Sequence, residues 1–249
     1  MGRQRGALKI KGSLGDITFF ESQDGMMVRE KGFVDKARIA KDPRYARTRE
    51  NGAEFGAAAK SSKLLRDAIR SMMITASDRR VISRLLKTMT DVKNLDLTSV
   101  RGQRNVGTAI SSTAAKNALN GFNFNINSVL ESVLFQPFTV NTGTGVITMN
   151  GLVPLNNVKS PAGTTHLSLK AAWAKVDFVN GVFDTQFTNI VNLPVNSIAS
   201  NVVLTPAAVP AGAGTDVFVL EIEFFQEINL IQYPLRSGEF NALKIVEVN

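Results

Sequence analysis

The sequence predicts an α+β protein with an N-terminal β-hairpin and basic arm, two to three helices, and a C-terminal antiparallel β-sandwich. Three observations predict it. Charge and composition break near residue 116: residues 1–116 hold 24 Lys and Arg against 12 Asp and Glu, and residues 117–249 hold 5 against 9. The first stretch is rich in Arg, Lys and Ala with Pro43 as its one proline, and the second is rich in Val, Asn, Thr, Phe and Pro. Apolar residues then recur at spacings of three and four between Phe55 and Met89, the helical period, and from Phe122 onward the period is two, that of a strand. These breaks divide the chain into a hairpin and connecting arm (1–50), a helical region (51–120) and a sandwich of Ig-like or jelly-roll-like type (121–249).

Residues 6–31 read as β structure. Asp16-Ile-Thr-Phe-Phe-Glu21 and Met26-Met-Val-Arg-Glu-Lys31 flank Asp24-Gly25, a strong hairpin signal because Gly tolerates positive φ. A lone hairpin is marginal in water, so it must pack on something, in this chain or in a neighbour. Residues 33–50 form a basic connector with Lys36, Arg38, Lys41, Arg44, Arg47 and Arg49, which Asp42-Pro43 interrupts as a helix. Asn51 then reads as an N-cap with Glu54 at the capping-box position. Phe55, Ala58, Ala59, Ser62, Leu65, Ile69, Met72 and Met73 make the apolar stripe of the helix that follows. Ser77-Asp78 reads as the cap of a second helix, with stripe Val81, Ile82, Leu85, Leu86 and Met89 and wet face Arg79, Arg80, Arg84 and Lys87. A short third helix spans Ala109 to Leu119 and ends at Asn120-Gly121.

Strands are predicted at about 131–136, 145–150, 165–178, 182–191, 201–205, 216–228 and 241–248, separated by Gly-, Pro- and Asn-rich turns. Phe218, Leu220, Ile222 and Phe224 would face the core, and Glu221 and Glu223 would face water.

The chain resembles a family of uncharacterised bacterial proteins of Bacteroidota type. The resemblance rests on Gly12-x-x-Gly15, Asp24-Gly25, Val28-Arg-Glu-Lys31, Asp42-Pro43, Arg47-Thr-Arg-Glu-Asn51, Glu54-Phe-Gly56, Arg101-Gly102-x-Arg104-Asn105 and Gly121-Phe122-x-Phe124-Asn125. It covers mainly residues 6–126. It implies a shared architecture and no activity.

The chemistry-bearing residues are sparse. There is no cysteine, which excludes disulfides and thiolate catalysis, and His166 is the one histidine, so no His-based metal site can be assembled; a Ser-His-Asp triad would need His166, no G-x-S-x-G motif accompanies it, and a sheet-surface histidine is expected. Glu221 and Glu223 lie two apart on a strand, roughly 7 Å apart, and read as a solvated face rather than an acid–base pair. Asp177 and Asp184 flank Asn180-Gly181 without a calcium-loop signature. Gly12-Ser-Leu-Gly-Asp16 lacks the Lys-Ser/Thr ending of a phosphate loop. Trp173 among alanines reads as sheet packing.

No enzymatic activity and no cofactor or metal is expected. There is no run of 18 apolar residues, so no membrane span is expected, and Lys9 and Lys11 interrupt any apolar leader, so synthesis in the cytoplasm is expected. The sequence points to a structural protein that self-assembles with identical subunits into a filament, a shell or a phage-like particle, which lysis could release. Phe19, Phe20, Met26 and Val28 are the expected apolar anchors, and Arg29, Arg38, Arg47, Arg49, Arg101 and Arg104 the ionic partners. The other reading is a nucleic-acid-binding module, with the same arginines on phosphate and Phe19, Phe20, Phe33 and Tyr45 stacking on bases.

Overall fold

Ser22 to Gly25 reverse the chain with Gly25 at φ 105°, and the Ser22 hydroxyl donates to the Gly25 carbonyl across the turn. The hairpin so formed joins β3 (Ile17–Ser22) to β4 (Gly25–Glu30). In the computed structural model, which describes all residues but 6, 7, 31–35 and 236 (and the side chains of 237 and 238), it is the centre of a larger sheet. β1 (Gly2–Arg3) pairs with β4 and β2 (Gly12–Leu14) with β3, giving an antiparallel four-stranded sheet of order β1-β4-β3-β2. α1 (Lys36–Lys41) follows and stops at Asp42-Pro43 as expected; Phe33 and Lys31 lie outside the described residues.

The chain divides into two compact units, Met1–Arg49 and Glu50–Asn249. Among the described residues of the first unit, none is buried.

The Asn51 cap is not formed. Asp42 accepts from the Arg44 amide at 2.9 Å and starts a 3₁₀ turn, Pro43–Tyr45, that runs directly into α2 (Ala46–Ala68). Asn51 and Glu54 are therefore interior to a helix, and the cap moves to the earlier Asx residue, where Pro cannot donate an amide hydrogen bond anyway. A break at Ile69 separates α3 (Arg70–Thr75). α4 (Val81–Asn94) begins after an Asx turn in which Asp78 accepts from the Arg80 amide at 2.6 Å. The expected third helix is two short ones, α5 (Val106–Ala109) and α6 (Thr113–Leu119), capped by Asn105 and Ser112.

From residue 122 the structure turns to β. Phe122 and Phe124 hydrogen-bond through their backbones to Ile245 and Leu243. Residues 131–136 are not a strand: α7 (Leu130–Val133) occupies that place, and Leu134 makes an isolated bridge to Val158. β5 (Thr139–Val140), β6 (Ile147–Leu152) and, after α8 (Pro154–Asn157), β7 (His166–Asp177), β8 (Val182–Phe187), β9 (Val191–Pro194) and β10 (Ser200–Leu204) follow. β11 (Thr215–Ile228), β12 (Ile231–Pro234), α9 (Ser237–Phe240) and β13 (Ala242–Val248) complete the chain. A six-stranded sheet runs β12-β11-β7-β8, with β13 on β11 and β9 on β7, and a three-stranded sheet runs β10-β6-β5. All pairings are antiparallel, and the class is α+β as expected.

The six-stranded sheet is covered on both faces, which decides where the charged residues go. Ala172, Ala174, Val176, Val217, Val219, Leu243 and Ile245 pack against Leu65, Ile69, Met72, Leu85 and Met89 of the helices. The opposite parity, Leu167, Leu169, Ala171, Leu220, Ile222 and Phe224, packs against Ile147, Met149, Val202 and Leu204 of the smaller sheet. Helices α2 to α6 and the strands thus share one body, and the two long strands β7 and β11 have no wet face along most of their length. Trp173 lies at 3% exposure on the second face, where its Nε1 donates to Asp216 and its ring sits 5.3 Å from Phe218.

Candidate assembly surface and buried charge cluster

Register assigns the side chains of the N-terminal sheet to two unlike faces. Ile17 pairs with Glu30, Phe19 with Val28 and Glu21 with Met26, while Gly2 lies beside Val28 and Gly12 beside Phe19. With Leu14 beside Ile17, these positions make one face whose centre is apolar. Thr18, Phe20, Met27, Arg29 and Arg3 make the other. There the Arg29 guanidinium covers the Phe20 ring at 5.4 Å. Three of the four expected anchors, Phe19, Met26 and Val28, therefore share a face, and Phe20 does not belong with them.

The arginines scatter. Arg38 pairs with Asp42 at 3.4 Å one turn on, and Arg49 donates to the carbonyls of Ile39 (2.7 Å) and Asp42 (3.0 Å). Arg47 is exposed in the first turn of α2. Arg101 and Arg104 belong to the second unit, in the loop after α4, where they pin that loop to α2: Arg101 lies 3.3 Å from Glu50, and Arg104 3.4 Å from Glu54. Glu54 is the hub of this corner. It takes the buried Lys93 ammonium on one oxygen and the Gly102 amide (2.7 Å) on the other. The Lys93 hydrogen bond chiefly, then the Gly102 amide, holds the Glu54 carboxyl below its usual range despite burial. Asp96 anchors the same loop: burial would raise its pKa, but hydrogen bonds from Ser99, Thr98 and Asn105 overwhelm that and hold it well below the carboxylate range.

Arg84, expected on a wet face, is half-buried. It binds Asp78, donates to the carbonyls of Asn123 (2.8 Å) and Phe124 (3.1 Å), and stacks 5.1 Å over Phe122. It clamps α4 to the start of the β region.

Glu221 and Glu223 do not face water. Their parity on β11 is that of Val217 and Val219, so they lie under the helical layer, at 0% and 8% exposure. Lys170, opposite Glu221 in the register, sits between them, hydrogen-bonded to Glu223 and 3.3 Å from a Glu221 oxygen. That oxygen makes no hydrogen bond. The other one meets the Thr75 hydroxyl, which also lies 2.9 Å from the Met72 carbonyl. Burial pushes the Glu221 carboxyl up to about 8; Lys170 opposes the rise and Glu223 adds to it. Burial disfavours the Lys170 charge, but the two carboxylates more than compensate and hold the ammonium above its usual range. A carboxyl whose folded pKa is raised binds its proton more tightly when folded. Its contribution to stability is full below about 4.5 and is lost as pH rises toward about 8. Glu221→Gln removes that titration. The variant is expected to equal or exceed the native protein in stability at pH 8, with a flatter dependence between pH 5 and 8, measured by urea unfolding across that range. A native profile that does not fall over this window would contradict the assignment.

The remaining polar candidates are locally engaged. Asp177 caps the β7–β8 turn through the Val179 and Asn180 amides, and Asp184 accepts from the Ala211 amide and Gln186. His166 lies 3.1 Å from the Thr165 hydroxyl and 3.7 Å from Glu227. Among the described residues there is no group of three or more His, Asp or Glu placed to hold a metal ion, and no helix long and apolar enough to cross a membrane.

The class defined by this arrangement is a two-unit α+β protein whose larger unit holds both apolar clusters and whose smaller unit has no buried residue among those described. No protein-family profile, curated protein or solved structure matches the chain.

Proposed function

We propose that the chain is a non-enzymatic structural protein that assembles with identical copies into a filament, shell or phage-like particle, and that its N-terminal unit is the connector. The observation that carries the reading is the four-stranded sheet none of whose described residues is buried. Leu14 and Ile17 are 76% and 44% exposed, while Phe19, Met26 and Val28 between them are partly covered. Fully burying an exposed side chain of this size is worth about 1.5–3 kcal/mol, so a surface that covered Leu14 and Ile17 would gain a part of that from each. The second unit offers further apolar surface on the outer strand β8 and its turn, at Val179, Val182, Phe183 and Phe187. Charge complementarity between the halves does not carry the reading. Glu131, Asp216, Glu221 and Glu223, which help make residues 117–249 acidic, are paired with Lys244, Lys175 and Lys170 of the same chain.

A nucleic-acid reading has one observation in its favour: residues 1–49 hold 12 Lys and Arg against 6 Asp and Glu, and Arg3, Arg29 and Phe20 share one face of the sheet. Two measurements separate the readings. Both apolar clusters lie within residues 58–248, so a chain lacking residues 1–32 keeps its cores. Sedimentation velocity should show large species for the full chain and a monomer for the shortened one. Identical size distributions would reject the connector. Retention on a phosphate matrix that falls steeply with salt, without self-association, would favour nucleic acid instead.

A further inference from the structure

The larger unit carries an exposed apolar knob and an open cavity at opposite ends of its main sheet. Resting on the self-assembly reading above, we propose that the β11–β12 hairpin tip of one copy seats in the cavity between α2 and the β7–β8 turn of the next, head to tail.

The tip is built against local preference. Asn229 and Leu230 join β11 to β12 with φ 52° and 63°, the left-handed pair of a type I′ turn, whose second position favours glycine. Every other positive-φ residue among those described is a glycine. A leucine there strains the backbone, and at 91% exposure its side chain makes almost no contact in its own chain that would offset the strain. Ile228 and Ile231, paired beside it, are 50% and 55% exposed. No residue from 228 to 235 is charged. Three branched apolar side chains therefore stand together on a knob that can leave water without burying a charge.

The cavity matches the knob in size and in its walls. It holds about 710 Å³, a sphere about 11 Å across, close to the width of a two-stranded ribbon whose strands lie about 4.8 Å apart. Leu64 of α2 and Phe178, Val179 and Phe183 of the β7–β8 hairpin line it. Seating an uncharged tip there leaves the Lys63–Asp67 pair at 2.8 Å intact and demands no partner for Lys60, which is exposed.

The tip cannot reach the cavity of its own chain. β7 and β11 run antiparallel with Val176 beside Thr215, so the β7–β8 turn lies at the start of β11 and the tip at its end. The 14 residues of β11 separate them by about 45 Å. A knob and a socket at opposite ends of one sheet join copies in series, closing as a ring or extending as a filament. A single tip covers far less than the roughly 800 Å² per partner of a stable complex. The contact is therefore weak alone and gains strength once the N-terminal connector joins the same copies.

Leu230→Gly relaxes the turn and removes the knob. It is expected not to lower the unfolding midpoint, yet to raise the concentration needed for assembly roughly tenfold. The native chain has no cysteine, so Leu230→Cys and Val179→Cys each place one exposed thiol. Under mild oxidation of the full-length protein, a mixture of the two is expected to link roughly tenfold faster than either alone, and the double variant to give linked species of three or more chains. Leu230→Cys alone linking as fast as the mixture would mean that tip meets tip, and an assembly concentration unchanged by Leu230→Gly would mean that the tip is idle; either overturns the proposal. Flotation of the native chain, but not of Leu230→Gly, with phosphatidylcholine vesicles would assign the tip to a lipid surface and overturn it too. Suppose the full chain assembles, the chain lacking residues 1–32 does not, and the mixture links no faster than its parts. The connector then stands and the tip-in-cavity contact is wrong. A full chain that stays monomeric at every concentration would overturn both.

Discussion

Replacing Lys170 by methionine is expected to destabilise the protein by about 3–5 kcal/mol at pH 7, the range for breaking a buried ion pair from one side. The methionine matches the lysine stem in volume, so packing changes little and the loss is electrostatic. Without the ammonium, Glu221 and Glu223 face each other under the helices at 0% and 8% exposure with no cation between them. The Glu221 carboxyl, already raised by burial, rises further once the opposing Lys170 charge is gone. Urea unfolding at pH 7 measures the loss. A loss under 1 kcal/mol would mean that water reaches the cluster and screens it.

Glu54→Ala is the second large effect, expected at about 3 kcal/mol. It leaves Lys93 buried without its carboxylate and frees the Gly102 amide and Arg104. The low end of the buried-pair range applies because the corner lies beneath a surface loop rather than a layer of core. The pH signature is opposite to that of Glu221. A carboxyl held below its usual pKa contributes stability above about 4.5 that is lost as pH falls through the folded value. Native protein therefore loses this contribution on acidification, and Glu54→Ala should be less sensitive to acid than the native chain. Hydrogen exchange should also report faster opening of residues 95–105, since Glu54 ties that loop to α2.

The local elements were readable because their signals are local. Asp24-Gly25 announced the N-terminal hairpin, and the period of two at Phe218, Leu220, Ile222 and Phe224 marked β11. The spacing of Leu65, Ile69 and Met72 marked a helical face. What misled was a face assumed wet. Glu221 and Glu223 alternate with Leu220, Ile222 and Phe224 as a half-exposed strand would. The corrective sign was present: Ala171-Ala-Trp-Ala on β7 and Val217-Phe-Val-Leu on β11 are apolar at both parities, the mark of a sheet buried on two sides. Lys170 in that run needed buried carboxylates. The cap at Asn51 failed because Asp42, nine residues earlier, had already begun the helical turn. The expected strand at 131–136 failed because a short helical turn met the same burial demand for Leu130 and Val133. Of the candidate anchors, Phe19, Met26 and Val28 follow from alternation alone. The fates of Arg101 and Arg104 do not, because their acids lie some fifty residues earlier in the chain, at Glu50 and Glu54, and only folding brings such pairs together.

One hydroxyl has a further consequence. Thr75 has a single proton and two oxygens in reach, the Met72 carbonyl and Glu221. When Glu221 is ionised, the rotor turns toward it, and Met72 keeps the Ala76 amide as its donor. When Glu221 is protonated, it gives its own hydrogen to Thr75, whose rotor swings back to Met72. The acid can therefore gain or lose its proton while every heavy atom stays in place. Titrating this centre should move the unfolding midpoint and leave the aromatic near-ultraviolet spectrum of the folded state still.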